Sequence, residues 1–123
     1  MERHAPVYRF DRLDSTNTRL KALAREGAAP GTVLLAREQS GGRGRLGRSF
    51  ASPPGGLYLS MLLRPACPPE RCLSLTPLAA VAARRAVLDC TGLSPEIKWP
   101  NDLLLGGKKL CGILTEVRFY SNI

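Results

Sequence analysis

The sequence predicts an α/β or α+β fold in which helices pack on a mixed β-sheet. Two observations carry this prediction. Short apolar or alternating runs typical of strands are interspersed with segments of helical spacing, and the order is β-α-β-loop-β-α-β-β-β. The chain has 123 residues, which is enough for one small domain with a single hydrophobic core.

The predicted strands are short and are bounded by turn residues. They cover residues 7–13, 32–38, 57–64, 96–99, 103–105 and 108–117. The run at 57–64 is apolar enough for a buried strand. Gly106 and Gly107 separate the last two runs, and a Gly-Gly pair in that position predicts a β-hairpin.

Two helices are predicted from spacing and capping residues. The first follows Asp14, Ser15 and Thr16, whose side-chain oxygens suit an N-cap, and Gly27 suits its C-terminal end. The second covers residues 76–90, which are rich in Ala and Leu and begin with a threonine suited to the N-cap.

A long loop is predicted at residues 39–56, because this segment has six glycines, two prolines and few apolar side chains. It contains GGRGRLGR at 41–48. Glycines let a backbone approach a ligand closely, and Arg43, Arg45 and Arg48 supply guanidinium groups suited to carboxylate or phosphate. No helix follows, so the GxGxxG spacing does not indicate a dinucleotide fingerprint. A Gly/Arg-rich nucleic-acid-binding segment is the alternative interpretation.

Composition narrows the class of protein. The formal charge of +8, with fourteen Arg against four Lys, favours phosphate-bearing partners, either a nucleotide or nucleic acid. No apolar run approaches the ~20 residues of a membrane span, and no secretory signal is recognisable, so we expect a cytoplasmic protein. The four cysteines, Cys67, Cys72, Cys90 and Cys111, lack zinc-site spacing; reduced thiols are expected, with Cys90 and Cys111 in the core.

The KWPND motif at 98–102 supplies candidate metal and nucleotide ligands. Asn101 and Asp102 follow a short strand, and their oxygens suit Mg²⁺ with nucleotide phosphates completing the shell. Lys98 is then a phosphate or carboxylate partner. A simple turn is the alternative interpretation.

Two lysines follow the predicted Gly-Gly turn. Strand alternation puts Lys109 on the core-facing side with Cys111 and Ile113, and Lys108 on the opposite side. A core-facing lysine needs a charged partner, which a bound carboxylate or phosphate would provide.

Five segments occur in the order seen in biotin–protein ligases, which the chain closely resembles. They are STN at 15–17, GRGRLGR at 42–48, SP and GLYLS within 52–60, KWPNDL at 98–103 and KLCGILTE at 109–116. The resemblance runs from Tyr8 to Glu116. Lipoate ligases share the fold, but GRGRLGR and KWPND resemble the biotin branch. The resemblance implies a biotin/lipoate ligase-like catalytic domain, similar to class II aminoacyl-tRNA synthetases.

The resemblance also implies an activity and the residues that perform it. Biotin and ATP would give biotinoyl-5′-AMP, and a lysine of a biotin carboxyl carrier protein would then accept the biotinoyl group. The residues implied at biotin are Ser15, Thr16, Asn17, Gln39, Gly42, Arg43 and Gly112. Those implied at ATP or the adenylate are Arg45, Arg48, Lys98 and Asn101, with Asp102 and Asn101 at Mg²⁺ and with Lys109 and Arg45 catalytic.

Residues 1–123 resemble only the N-terminal part of that catalytic domain. No helix-turn-helix domain precedes the catalytic motifs, and the family's later strands and small C-terminal β domain are not matched. We therefore expect an incomplete catalytic domain that binds no specific DNA. The competing hypotheses are a basic nucleic-acid-binding module and an inactive truncated ligase fragment. The oligomeric state stays open, a homodimer included.

Overall fold

The computed structural model describes residues 5–118, and the chain divides into two compact units, Met1–Ala66 and Cys67–Ile123. The elements are β1 (Val7–Leu13), α1 (Thr16–Arg25), β2 (Val33–Gln39), β3 (Tyr58–Met61), α2 (Leu75–Thr91), β4 (Glu96–Lys98), β5 (Asp102–Leu105) and β6 (Lys108–Gly112). Short 3-10 helices occupy Arg45–Gly47 and Pro69–Ser74. The predicted mixture of strands and helices is confirmed, with the strands divided between two three-stranded sheets.

The first unit is a mixed sheet covered by α1. Strand β2 is central, with β1 parallel to it on one side and β3 antiparallel on the other. Leu20 of α1 packs with Leu13, Leu34 and Ala36 of the sheet, and Leu34 is completely buried. Burial of each large side chain contributes about 1.5–3 kcal/mol, so this small cluster is what holds α1 on the sheet.

The second unit is an antiparallel sheet of β4, β5 and β6, with α2 against β4 and β5. Leu103 of β5 and Ala80 of α2 are both fully buried. The Arg84 side chain on α2 donates to the Pro95 carbonyl oxygen at 2.8 Å and to Ser94 Oγ at 2.7 Å. These bonds fix the helix to the segment that enters β4.

Several predicted boundaries are wrong. Helix α2 begins one residue before Thr76, because the 3-10 helix Pro69–Ser74 runs directly into it and leaves no side-chain N-cap. Thr76 Oγ1 instead donates to Thr115 Oγ1 at 2.9 Å. Strand β3 is shorter than predicted and is not a buried strand, since Leu59 and Met61 are 48% and 56% exposed.

The C-terminal strand and two cysteines also differ from expectation. Strand β6 ends at Gly112 rather than at 117. Cys90 is exposed and Cys111 is only partly buried, so neither is the core residue predicted from its apolar neighbours. Neither helix within residues 5–118 has the length and apolar character that a membrane span requires.

Candidate functional site

The N-terminus of α1 presents three of the predicted site residues. Ser15 is the N-cap, as predicted, with extended backbone angles and with its Oγ accepting from the Thr18 backbone N–H at 3.3 Å. The Ser15 N–H in turn donates to Asp14 Oδ1 at 2.7 Å. Ser15 and Thr16 are each only 4% exposed. Capping of this kind satisfies backbone groups that the first helical turn leaves unpaired.

A directed chain of hydrogen bonds joins this helix end to β2. The Thr16 backbone N–H donates to Gln39 Oε1 at 2.8 Å, and Gln39 Nε2 donates to Ser52 Oγ at 3.0 Å. Ser52 Oγ donates to the Phe50 carbonyl oxygen at 3.0 Å. Both ends of the Gln39 amide are therefore engaged, and its orientation is set by the network.

A second branch joins the same helix end to β3. Ser60 Oγ donates to Asn17 Oδ1, and it also lies 2.6 Å from Thr16 Oγ1. Because a hydroxyl has one proton, Thr16 is the donor in the Thr16–Ser60 bond. Thr16, Asn17 and Gln39 are thus brought together by Ser52 and Ser60, two buried serines.

Sequence reasoning did not assign roles to Ser52 and Ser60. A signal was present for Ser60, because it is the single small polar residue in the otherwise apolar and aromatic run YLSM of β3. Ser52 belongs to one of the matched motifs, but its local pattern gave no signal of a role, since it lies in a Gly- and Pro-rich stretch.

The Gly/Arg-rich loop begins after β2, since Gln39 belongs to that strand rather than to the loop. Backbone bridges pair Gln39 with Ser52 and Arg43 with Ser49, so the loop folds back on itself. Gly42 is buried in this fold, and a Cβ there would lie 2.4 Å from both the Phe50 carbonyl oxygen and Ser52 Oγ. Only glycine fits at that position.

The three predicted arginines lie on the outer part of this loop. Arg43, Arg45 and Arg48 are exposed, and Arg45 begins the 3-10 turn. Leu46 within the turn has φ 59 and an 88% exposed side chain. Because an exposed leucine lies beside exposed guanidinium groups, this loop can make both apolar and cationic contacts.

The second unit holds the other predicted residues on adjacent strands. Lys98 of β4 and Gly112 of β6 both lie opposite Asp102 of β5, one on each side. Lys109 Nζ lies 3.4 Å from Asp102 Oδ1, with the two side chains 49% and 18% exposed. Lys98, Asp102 and Gly112 therefore lie in register across this sheet, and the Lys109 side chain contacts Asp102 from β6.

The face predicted for Lys109 is wrong, although its need for a charged partner is met. A register shift between Leu103 and Leu104 aligns Lys109 with Leu104 but Cys111 with Leu103, which breaks the strict alternation. Lys109 is therefore exposed rather than core-facing, and its partner within the unit is Asp102.

Asp102 also affects its neighbours electrostatically. Burial raises the pKa of the Cys111 thiol; the Asp102 carboxylate raises it further, and the Lys109 ammonium partly offsets this. Cys111 is therefore a neutral thiol beside the charged pair.

The Mg²⁺ expectation can be tested on Asp102 and Asn101. Asp102 Oδ1 is buried and accepts no hydrogen bond, and its ion-pair partner is the Lys109 ammonium 3.4 Å away, so a Mg²⁺ ion would share this carboxylate with the lysine. Asn101 is held by its backbone carbonyl, which accepts from the Ile113 N–H at 2.9 Å. Within residues 5–118 no group of three His, Cys, Asp or Glu side chains could hold a metal. The donors present fit Mg²⁺, which takes one or two carboxylates with waters and phosphates.

Comparison with known proteins decides the family. The model of the biotin/lipoate A/B protein ligase family matches residues 9–123.

This chain belongs to the biotin/lipoate A/B protein ligase family.

Individual members of the ligase family confirm the similarity. The bifunctional ligase/repressor BirA of Bacillus subtilis (strain 168) is 43% identical over 109 residues, which are 88% of this chain and 34% of the relative. The biotin--[acetyl-CoA-carboxylase] ligase of Paracoccus denitrificans is 42% identical over 111 residues, covering 85% of this chain and 44% of the relative.

A solved structure of a biotin protein ligase is also similar to this chain. The biotin protein ligase from Aquifex aeolicus, in complex with biotin and ATP, superposes with a TM-score of 0.78 at 36% identity, covering 90% of this chain and 46% of that one. The chain thus spans about a third to a half of the length of the relatives it matches.

Proposed function

We propose that this chain forms part of an ATP-dependent biotin–protein ligase, acting in the cytoplasm on biotin, ATP and a biotin carboxyl carrier protein. The observation that carries the proposal is that the residues brought together in the structure lie in segments that are similar to known ligases. A relative named biotin--[acetyl-CoA-carboxylase] ligase and a solved biotin protein ligase match 85% and 90% of this chain, which contains both residue sets: the hydrogen-bonded cluster around Thr16 and the residues around Asp102.

The first half-reaction joins two anions. An oxygen of the biotin carboxylate attacks the α-phosphorus of ATP, the bond to the β-phosphate breaks, and pyrophosphate leaves. We assign Lys109 to the carboxylate and the reacting phosphate, because its ammonium is half-exposed and held in place by Asp102. A positioned cation offsets both the repulsion between the anions and the charge that develops in the transition state.

Biotin is assigned to the first residue set. Its neutral ureido ring needs both donors and acceptors, which the cluster of Thr16, Asn17 and Gln39 offers in fixed orientation. Ser15, Gly42, Arg43 and Gly112 complete the proposed biotin residues. The backbone of Gly42 can approach a ligand closely because it carries no side chain.

The adenylate and the metal are assigned to cationic and polar residues. Arg45, Arg48, Lys98 and Asn101 are proposed at the nucleotide, with Arg45 also retaining the adenylate through its phosphate. Mg²⁺ would be held by Asp102 and Asn101 and would neutralise phosphate charge. In the second half-reaction the carrier lysine amine attacks the carbonyl carbon of the mixed anhydride, AMP leaves with the bonding electrons, and the amine proton passes to solvent.

Biotin-dependent exchange of labelled pyrophosphate into ATP tests this function. We expect exchange when residues 1–123 are joined to the remaining segment of the Bacillus subtilis relative, with the intact relative as positive control. The isolated chain should bind biotin more weakly, measured by calorimetry. The proposal is wrong if the joined protein is folded by circular dichroism but neither exchanges pyrophosphate nor binds biotin.

A further inference from the structure

Two thiols in the second unit lie in contact and are not used by the proposed reaction. Cys67 Sγ and Cys72 Sγ are 3.8 Å apart, just before and within the 3-10 helix Pro69–Ser74. Cys67 is partly exposed, whereas Cys72 is 7% exposed. Cys72 Sγ also lies 3.8 Å from the Pro68 carbonyl oxygen, which holds it in the turn.

We propose that Cys67 and Cys72 form a dithiol modification site that is oxidised reversibly to an intramolecular disulfide by small-molecule disulfides of the glutathione type. The two sulfurs are already at van der Waals contact. A disulfide bond requires about 2.05 Å between them, and rotation about one Cα–Cβ bond moves a sulfur by more than the difference.

The reaction balances as two thiol–disulfide exchanges. The more exposed Cys67 loses its proton to solvent, and its thiolate attacks one sulfur of the oxidant, which releases one thiolate and leaves a mixed disulfide on Cys67. Cys72 then loses its proton to solvent, its thiolate attacks the Cys67 sulfur, the bond from that sulfur to the small molecule breaks, and the second small thiolate leaves. The protein has lost two electrons and two protons, and the oxidant has gained them as two thiols.

The order of these steps follows from the surroundings of each sulfur. Burial raises the pKa of the Cys72 thiol, and the neighbouring Cys67 and the Glu70 carboxylate raise it further. Cys72 therefore remains a neutral thiol while Cys67 reacts with the oxidant. Its position against Cys67 then makes it the resolving thiol, because the mixed disulfide forms within its reach.

The bond would close the turn that leads into α2. Cys72 lies three positions before Leu75, the first residue of that helix, and the first turn of the helix is tied to the segment after β6 by the hydrogen bond between Thr76 and Thr115. Cross-linking the turn restricts the unfolded chain, so the oxidised protein should unfold at a higher temperature than the reduced one.

Trypsin offers a direct test, because Arg71 lies between the two cysteines and is followed by a cleavable bond. The full chain is incubated with oxidised glutathione, the remaining thiols are blocked with N-ethylmaleimide, and the digest is analysed without reduction. We expect residues 49–71 linked to residues 72–84, an intact mass lower by two hydrogen atoms, and loss of the link on adding dithiothreitol. Cys90→Ser, which removes the exposed thiol, is the matched control and should leave the link unchanged.

Cys67→Ser and Cys72→Ser should each abolish the link, and Cys72→Ser should retain a mixed disulfide with glutathione on Cys67. The proposal is overturned if the wild-type chain keeps mixed disulfides on both cysteines, or if residues 72–84 link instead to residues 86–98 or 110–118. Unchanged thiols at an oxidant concentration that modifies Cys90 would overturn it equally.

Discussion

Lys109 and Asp102 place opposite charges 3.4 Å apart on neighbouring strands, and one of the two side chains is half-exposed. An ion pair this accessible contributes little to stability, because water screens it. Its main effect is orientation: the carboxylate holds the half-exposed ammonium near β5. The contribution that we propose for Lys109 in the reaction is therefore separable from any contribution to folding.

Lys109→Ala should lower the rate of biotin-dependent adenylation by about 10²–10³-fold, because removing one positioned stabiliser of developing charge typically has that effect. Lys108→Ala is the matched control, since Lys108 precedes it on the same strand but lies opposite Leu105. It should change the rate less than threefold, by roughly 0.6 kcal/mol. Pyrophosphate exchange measures both; equal losses at the two lysines would contradict the assignment.

Ser60→Ala should lower the free energy of unfolding by about 1–2 kcal/mol, because Thr16 and Asn17 then lose a shared partner in a buried position. Urea titration followed by circular dichroism measures the change. Ser49→Ala, at an exposed position in the loop, should stay within about 0.5 kcal/mol of the wild type. If Ser60→Ala lowers the free energy of unfolding no more than Ser49→Ala does, Ser60 does not stabilise the cluster.

The Gly/Arg-rich loop is more ordered by backbone contacts than its composition alone predicts. Its composition predicted a segment without packing of its own, but two backbone bridges and a 3-10 turn shape it. The loop is anchored where Gly42 packs against Phe50 and Ser52. The outer residues, with their arginines, extend from that anchor.

Gly42→Ala should destabilise the chain by about 1–3 kcal/mol, the usual cost of forcing an extra methyl group into a filled space. Gly44→Ala is the control two residues away. Its φ is −112 and its nearest neighbours would lie 3.7 Å from the new Cβ, so little change in unfolding free energy is expected. Urea titration distinguishes the two; a Gly44 variant as unstable as the Gly42 variant would show that the loop tolerates neither.

Across the chain, the charge of +8 is the feature most easily misinterpreted. Such a charge is typical of nucleic-acid-binding proteins, and three of the fourteen arginines lie within six residues. The loop that carries them folds back on itself, and family membership favours the ligase over the nucleic-acid-binding hypothesis. The two hypotheses still predict different responses to salt.

Biotin affinity should change less than tenfold between about 50 and 200 mM salt, because only the carboxylate of biotin is charged. A protein that binds nucleic acid through six to ten phosphates loses about 10³–10⁵ in affinity over that range. Calorimetry with biotin and fluorescence anisotropy with a labelled oligonucleotide measure the two. Tight oligonucleotide binding with a steep salt slope, and no heat from biotin, would favour the nucleic-acid hypothesis.

Local patterns in the sequence were sufficient for much of this protein. Alternation and apolar runs predicted each of the six strands found within residues 5–118, and the bounds of β1 are those predicted. Ser15 as an N-cap and the left-handed Gly27 just after α1 follow from chemistry within a few residues. The ordered motifs, matched residue by residue, also sufficed to indicate the family.

Only the tertiary structure decided which residues act together. The strands pair into two sheets, and a register shift turns Lys109 toward Asp102. Two serines, Ser52 and Ser60, position the polar residues at the start of α1 and the end of β2. These arrangements depend on contacts between strands and loops that local sequence patterns do not specify. Periodicity reports which way a side chain points relative to its own strand. It carries no information about the partner that a hydrogen bond or an ion pair finds across the fold, because that partner is selected by packing of the complete unit.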